Sequence, residues 1–415
     1  MTFLKENGFN LDAIDEQRLL SDFLNEMMRG LHGEGDLPML PSGILLKQDA
    51  PRNVTVPTFD VGGTNLRSAR VTFDAHGKVT FTNIQRGRMP GSYGLVDMAT
   101  FYSQLCDTLQ PNLFAHERFG FCFSYPTTED GTLLFWTKKI QAPEIPGRNV
   151  AQDLLTALEE RNLNNCSLQI LNDTVAALLA TYTLPEAQSA AGIVGFILGT
   201  GTNTAYTEIT DNITKRPHLP RAKQMPINCE SGNFNRFPKS AFDLAYEKKC
   251  GNGHGQWEHC ISGVHLGSLG TLVLHAAAES GLLPTAKETL LAREFTNIEL
   301  DTYCSGTNPT LFPYSEEEAC MIRQLLLPIY ERAALFAAVN IAAAGIASAR
   351  ARGKQEGTIC INADGSTFWK TSTIPFAERV TQHVTRLLTP YNYTCNIVRV
   401  EEAPLLGAAL AALNG

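Results

Sequence analysis

Between positions 16 and 31 the apolar residues recur every three or four places. Leu19, Leu20, Phe23, Leu24, Met27, Met28 and Leu31 share one face, which predicts an amphipathic helix. Gly33, Gly35 and Pro38 then end it. Downstream the period shortens to two. "NVTVPTF", "LRSARVTF" and "VTFTNIQ" read as three consecutive strands, with "AHGK" as the turn between the last two. A helix is expected around 96–110, followed by the strand "RFGFCFSY". "CSLQILND" reads as a buried strand ending in Asn172 and Asp173, and "TVAALLATYT" as a helix that starts just after them. "AGIVGFILGTGTNTAYTEIT" is again strand, glycine turn, strand. Beyond 240 the pattern is mostly helical. The region from 316 to 351 is one long helical stretch that Pro328 is expected to kink or split. "GTICINADGSTF" gives a further strand and turn, and "PLLGAALAAL" a closing helix.

Two of these segments are related. Gly63-Thr64-Asn65 aligns with Gly201-Thr202-Asn203 at an offset of 138, and both glycine turns lie between alternating strands. Two such sheet units facing each other would form a cleft with one glycine turn from each side. Asp60 aligns with Leu198, so the acid occurs in one copy only and has a role the fold itself does not require.

Composition narrows the class. A chain of 415 residues suggests two or three domains, and 44% apolar with 18% charged residues excludes disorder. The net charge of −8, with no Lys/Arg run, argues against a nucleic-acid partner. The N-terminus is too polar for a signal peptide. "AALFAAVNIAAAGIASA" is mostly alanine and carries Asn340 and Ser348, so it reads as a buried helix rather than a membrane span. Ten cysteines without a C-x-x-C pair argue against a zinc ribbon or a disulfide scaffold. The spacing of Cys250, His254, His259, Cys260 and His265 also matches no zinc pattern. The expectation is a soluble cytoplasmic protein with reduced thiols.

The glycine turn at 62–65 admits two readings. It is a hairpin turn, or it is a loop whose bare N–H groups hold a phosphate. A Rossmann fingerprint is excluded, because a strand and not a helix follows the glycines. Phosphoryl transfer needs phosphates cradled, a divalent ion held and an acceptor placed in line. Two glycine turns with Thr64, Thr200 and Thr202 could supply the cradle, and Asp60 could hold Mg²⁺. Asn172-Asp173-Thr174 reads either as a helix N-cap or as the source of a general base, Asp173. Ser124 and the Trp136-Thr137-Lys138 run suit a polyhydroxyl ligand, though Lys138 could equally be a surface charge. Glu230 and Glu258 read as ligand carboxylates or as solvated ones.

Taken in order, "DVGGTNLR", "GFCFSYP…WTK", "LNDTVAALL", "ILGTGTNTAY", "INCESGNF", "EHCISGVHLG" and "ADGSTF" resemble the hexokinase family of the eukaryotic hexokinase/glucokinase type, as a single catalytic unit. The resemblance runs from about 35 to the C-terminal helix. It implies an α/β, actin-like ATPase (ribonuclease-H-like) fold with two lobes around a central cleft. The small lobe would be 54–174 plus 404–415, and the large lobe 1–53 plus 175–403. It implies ATP-dependent phosphorylation of the 6-hydroxyl of glucose or a related hexose, with ATP and Mg²⁺ as cofactors. Asp173 would be the base, and Lys138 would position sugar and phosphate. Ser124, Thr137, Asn172, Asn203, Glu230 and Glu258 would bind the hexose. Asp60, Gly62, Gly63, Thr64 and Asn65 would form the first phosphate loop, with Asp60 also holding the metal. Gly199, Thr200, Gly201 and Thr202 would form the second loop. Gly365, Ser366 and Gly407 would lie near the adenosine. A monomer or homodimer is implied, with no nucleic acid and no membrane. The alternative is a catalytically silent sugar-binding regulator of the same fold. Tyr125, Lys139, Cys229, Ser231 and Ser268 depart from the family's usual residues.

Overall fold

The computed structural model describes residues 2–47, 50–128, 130–136, 138–251, 253–311 and 315–414, and its strands form two sheets built on one plan. In the first, β2 (Val54–Val61), β3 (Asn65–Phe73) and β4 (Val79–Arg88) form an antiparallel meander. β5 (Arg118–Phe123) and β6 (Ser167–Leu171) extend it in parallel with β2, giving the order β4-β3-β2-β5-β6. The second sheet repeats this. β7 (Gly192–Leu198), β8 (Thr202–Ile209) and β9 (Gln224–Asn228) form the meander, and β10 (Gly357–Asp364) and β11 (Tyr393–Val398) run parallel to β7. The order is β9-β8-β7-β10-β11, with the short β1 (Leu40–Pro41) added beside β9. The offset of 138 carries the start of β2 onto the start of β7. This is the duplicated α/β architecture of the actin-like fold.

Each sheet is followed by a helix that packs on the other half. Helix Asp173–Thr181 leaves the first sheet and lies on β7. Helix Ala403–Asn414 leaves the second sheet and lies on β2 and β5. The two helices also pack on each other. Glycine permits all three contacts. A Cβ on Gly120 of β5 would run into the carbonyl of Ala408, and one on Gly195 of β7 would lie 2.5 Å from the nitrogen of Leu178. At Gly407, in the crossing of the two helices, a Cβ would run into the carbonyl of Ala176. Gly407 is therefore buried in a helix–helix joint.

Helix Glu16–His32 buries the predicted apolar face except for Met28, which is exposed. Asp15 caps its start and Gly33, in the left-handed conformation, ends it. Helix Glu316–Ala351 runs unbroken through Pro328, against the expectation of a split. Proline removes one backbone hydrogen bond. The side chains around it, from Leu325 to Leu335, are largely buried, and that burial outweighs the loss. Its most apolar 18-residue window is 94% buried inside the protein.

Replacing Gly407 by Val forces the two crossing helices apart. We expect a loss of about 2–3 kcal/mol or more of unfolding free energy, measured by denaturant titration. A neutral effect would show that the helices do not meet there.

Candidate active site

The first glycine turn joins β2 to β3. It is closed by the Gly62 amide donating to the Asn65 carbonyl at 3.0 Å. Asp60 sits two residues before it, opposite Arg67 on β3 and Cys122 on β5. One Asp60 carboxylate oxygen accepts from Arg67 Nε at 3.0 Å and from its Nη2 at 2.6 Å. The third guanidinium nitrogen reaches Glu402, just before the C-terminal helix, at 2.5 Å. Burial pushes the Asp60 carboxyl above its ordinary value, against the pull of Arg67, and the charge of Asp173 adds to the rise. Asp60, Gly62–Arg67, Arg86 and Gly87 line a cavity of about 360 Å³.

Lys138 lies over this turn. A Cβ on Gly63 would sit 2.7 Å from its Nζ, so the glycine makes room for the lysine. The same Nζ is 5.6 Å from the ring centre of Tyr125. Tyr125 in turn donates its hydroxyl to the Gly62 carbonyl at 3.3 Å. The family departure at 125 thus ties the turn to the end of β5, which a phenylalanine could not do. Ser124, next to it, is half-buried, and its amide donates to the Val61 carbonyl at 3.1 Å. Thr137 lies outside the described residues.

The second turn, β7 to β8, is closed by the Gly199 amide donating to the Gly201 carbonyl at 2.9 Å. The Gly199 carbonyl accepts from the Gly263 amide and the Thr367 hydroxyl, both at 2.8 Å. Gly365, with φ +112°, packs directly on this turn, beside the exposed Ser366. Thr200 is exposed at the tip. Thr202 is not available in the way its motif implied. Its hydroxyl donates to the Ile197 carbonyl at 2.9 Å, and its amide donates to Glu258 at 2.7 Å. Glu258 reaches that amide across Gly201, where a Cβ would be 2.6 Å from its carboxylate. On its other side Glu258 lies 3.6 Å from His265 Nε2, and His265 Nδ1 is 2.7 Å from the Tyr246 hydroxyl.

Asn203 and Glu230 meet through Asn228. The Asn203 amide donates to Asn228 at 2.6 Å, and the Asn228 amide donates to Glu230 at 2.9 Å. Glu230 occupies the left-handed region at φ +50°, an arrangement its surroundings must hold. A fully buried triangle does so. Thr204 donates to Asn340 at 2.8 Å, Asn340 donates to Ser231 at 3.0 Å, and Ser231 donates to Thr204 at 3.1 Å. The asparagine that interrupts the alanine-rich helix therefore anchors the residue after Glu230. Burial pushes Glu230 up, and the charges of Asp173 and Glu258 push it further.

Asp173 opens its helix, but the capping is done by Asn172, whose side chain accepts the Thr174 amide at 2.8 Å. Among the described residues, Asp173 receives one hydrogen bond, from the Thr174 hydroxyl at 3.2 Å. Its charge is felt by Asp60, Tyr125 and Glu230, so it stands between the first turn and the Asn203–Glu230 cluster. Among the described residues, no three His, Cys, Asp or Glu side chains are placed to share a metal ion. Sequence reasoning did not assign Arg67, Tyr125, Asn228, His265 or Asn340. Asn340 carried a visible signal, a lone amide in an apolar helix. The others are ordinary residues whose pairings depend on strand register and helix packing.

His259, beside His265 with ring centres 4.6 Å apart, is buried and its pKa is pushed down to about 4, chiefly by loss of hydration. The unfolded chain takes up this proton near pH 6.5, whereas the folded chain resists until about pH 4. Stability is therefore lost as pH falls through that window. Between pH 7 and pH 5 His259 should account for about 2 kcal/mol of the loss. His259→Phe should flatten the pH dependence of unfolding by that amount, and an unchanged profile would refute the assignment.

Comparison with known proteins is consistent across the whole chain. Residues 5–183 and 193–414 match two family models, each described as hexokinase. Hexokinase-1 of Saccharomyces cerevisiae is 29% identical over 67% of this chain, and the Emericella nidulans hexokinase 31% over 65%. The matched part spans 61% and 58% of those two relatives. The Schistosoma mansoni hexokinase is 28% identical over 97% of this chain and 95% of its own length. Among solved structures, the hexokinase from Schistosoma mansoni complexed with glucose superposes with a TM-score of 0.80, at 25% identity over 98% of this chain and 96% of that one. A further hexokinase crystal structure has the same fold, with a TM-score of 0.74 at 22% identity over the full length of both chains. With one of the two models covering more than half of its length, the chain belongs to the hexokinase family.

Proposed function

We propose that this protein transfers the terminal phosphoryl group of ATP to the 6-hydroxyl of glucose or a related hexose. The observation that carries the reading is the position of Asp173. It is free of the capping role, which Asn172 fills, and stands between a glycine turn and a cluster of amides and carboxylates suited to hydroxyl groups.

In this reading Asn172, Asn203, Glu230 and Glu258, with Ser124 and Thr137, hold the sugar hydroxyls. Asp173 accepts the proton of the 6-hydroxyl as its oxygen bonds to phosphorus and the bond to the leaving ADP oxygen breaks. Lys138, already seated over Gly63, neutralises charge on the transferred group. The amides of Gly63–Asn65 and of Thr200 and Gly201 would face the phosphates, while Gly365 and Ser366 would flank the adenosine. The cavity beside the first turn is lined by peptide groups, two arginines and one carboxylate, a set that suits a phosphate chain carrying a divalent ion. Asp60 would hold Mg²⁺ there. One carboxylate is sufficient, because Mg²⁺ takes its remaining ligands from phosphate and water. The bound ion would spread the charge of the phosphates.

The moving parts in this reading would be 54–174 with 404–415 and 1–53 with 175–403. Their closure on sugar would bring the two glycine turns together and exclude water from the transfer.

Purified protein with Mg-ATP and a panel of common hexoses should yield hexose 6-phosphate. No product with any of them would overturn the proposal and favour a silent sugar-binding protein. Asp173→Asn should lower kcat by about 10²–10⁴-fold and leave hexose affinity nearly intact. Equal losses in both would mean that Asp173 serves the helix rather than the reaction.

A further inference from the structure

We infer that His265 is a positioning residue for Glu258, holding that carboxylate in the orientation in which it meets a hexose hydroxyl. The inference deepens the kinase reading and rests on it. Three helices that pack on one another converge here. Tyr246 comes from Ala241–Cys250, Glu258 from Gln256–Ile261, and His265 from the first turn of Gly263–Glu279. The last of these helices starts on the second glycine turn, where the Gly263 amide donates to the Gly199 carbonyl. Glu258 returns to the same turn, since its Oε2 accepts from the Thr202 amide. The turn, the helix start, His265 and Glu258 therefore close a circuit, and His265 supplies the contact on the Oε1 side.

The direction of each contact follows from where the protons are. Burial pushes the Tyr246 hydroxyl up to about 12, so it keeps its proton at neutral pH. It has that proton to donate to His265 Nδ1, 2.7 Å away. A neutral imidazole that accepts at Nδ1 carries its own proton on Nε2. Nε2 is the nitrogen that faces Glu258 Oε1, at 3.6 Å. The opposite tautomer would turn a nitrogen lone pair toward the carboxylate, which is repulsive. Tyr246 thus sets the tautomer, and the tautomer makes the contact with Glu258 attractive. His259, with its ring centre 4.6 Å from that of His265, is neutral near pH 7 and adds no charge beside the pair. At 3.6 Å the contact is electrostatic and not a full hydrogen bond, so it restrains Glu258 without occupying Oε1. Tyr246 is buried, whereas Glu258 stays partly exposed and its Oε1 can accept from a ligand hydroxyl.

Steady-state kinetics and calorimetric titration of the full chain test the assignment, with glucose or with whichever common hexose proves to be preferred. His265→Phe keeps a ring but loses the N–H, and it should raise the hexose Kd and KM by roughly tenfold. The kcat and the KM for Mg-ATP should stay near wild type, because His265 acts through Glu258 on sugar binding. His265→Gln, which restores a donor, should recover part of the loss. Tyr246→Phe, which frees the tautomer, should raise the hexose Kd by less, and it carries the test if His265→Phe does not fold. The decisive comparison is made in a Glu258→Gln background. There His265→Phe should have no further effect on hexose affinity, whereas a residue that only packs the three helices would impose its loss again. Unchanged hexose affinity in the folded variants, or an undiminished loss in the Glu258→Gln background, would overturn the role of His265 and leave the kinase reading intact. A wild type that neither binds nor phosphorylates any common hexose would overturn both.

Discussion

The whole arrangement depends on backbones meeting at three points where no side chain intervenes. Gly120 lets the C-terminal helix sit on β5, Gly195 lets helix Asp173–Thr181 sit on β7, and Gly407 lets the two helices cross against Ala176. The pattern is reciprocal, since each helix belongs in sequence to one half and packs on the other. A sheet and a helix can approach this closely only if one supplies no Cβ. The consequence for the site is direct. Asp173 is the first residue of one of these helices. Its position relative to both glycine turns is set by the joint and not by a loop.

Around this joint the cleft gathers like charges. Asp60, Asp173, Glu230 and Glu258 lie close enough that Asp173 raises both Asp60 and Glu230, and Glu258 raises Glu230 as well. Such a cluster is unfavourable unless its members are paired. Arg67 compensates Asp60, the Asn228 amide supports Glu230, and the Thr202 amide supports Glu258. Among the described residues, Asp173 is left with a single hydroxyl.

Much of this was legible in the sequence, for reasons that differ by residue. The glycine hairpins are local, so their repetition at a constant offset exposed the duplication of the fold. The acid present in one copy pointed to Asp60. Spacing could not show that Asp60 is shared with Arg67 and that Arg67 reaches Glu402, 335 residues away. Nor could it show that Thr202 spends both its donors inside the protein. Gly407 belongs to a familiar pattern, but its role depends on which face of a helix meets its neighbour. An almost wholly apolar helix gives no periodicity to read. Pro328 does not split its helix, because helix propensity is a local quantity and burial overrides it here.

The departures from the family's usual residues are better understood in pairs than singly. Ser231 leaves a small polar group beside Glu230, and Asn340 and Thr204 close a hydrogen-bonded triangle with it. A buried hydroxyl left without partners would cost about 1–3 kcal/mol, so the three residues make sense only together. Tyr125 adds a hydroxyl, and the Gly62 carbonyl accepts it. Both changes act one layer behind the groups that would touch substrate. The first braces the turn that carries Glu230, and the second braces the turn that would carry phosphate. In each case the chemistry-bearing residue keeps its identity while its support is rebuilt. Such changes bear on how firmly the two turns are held.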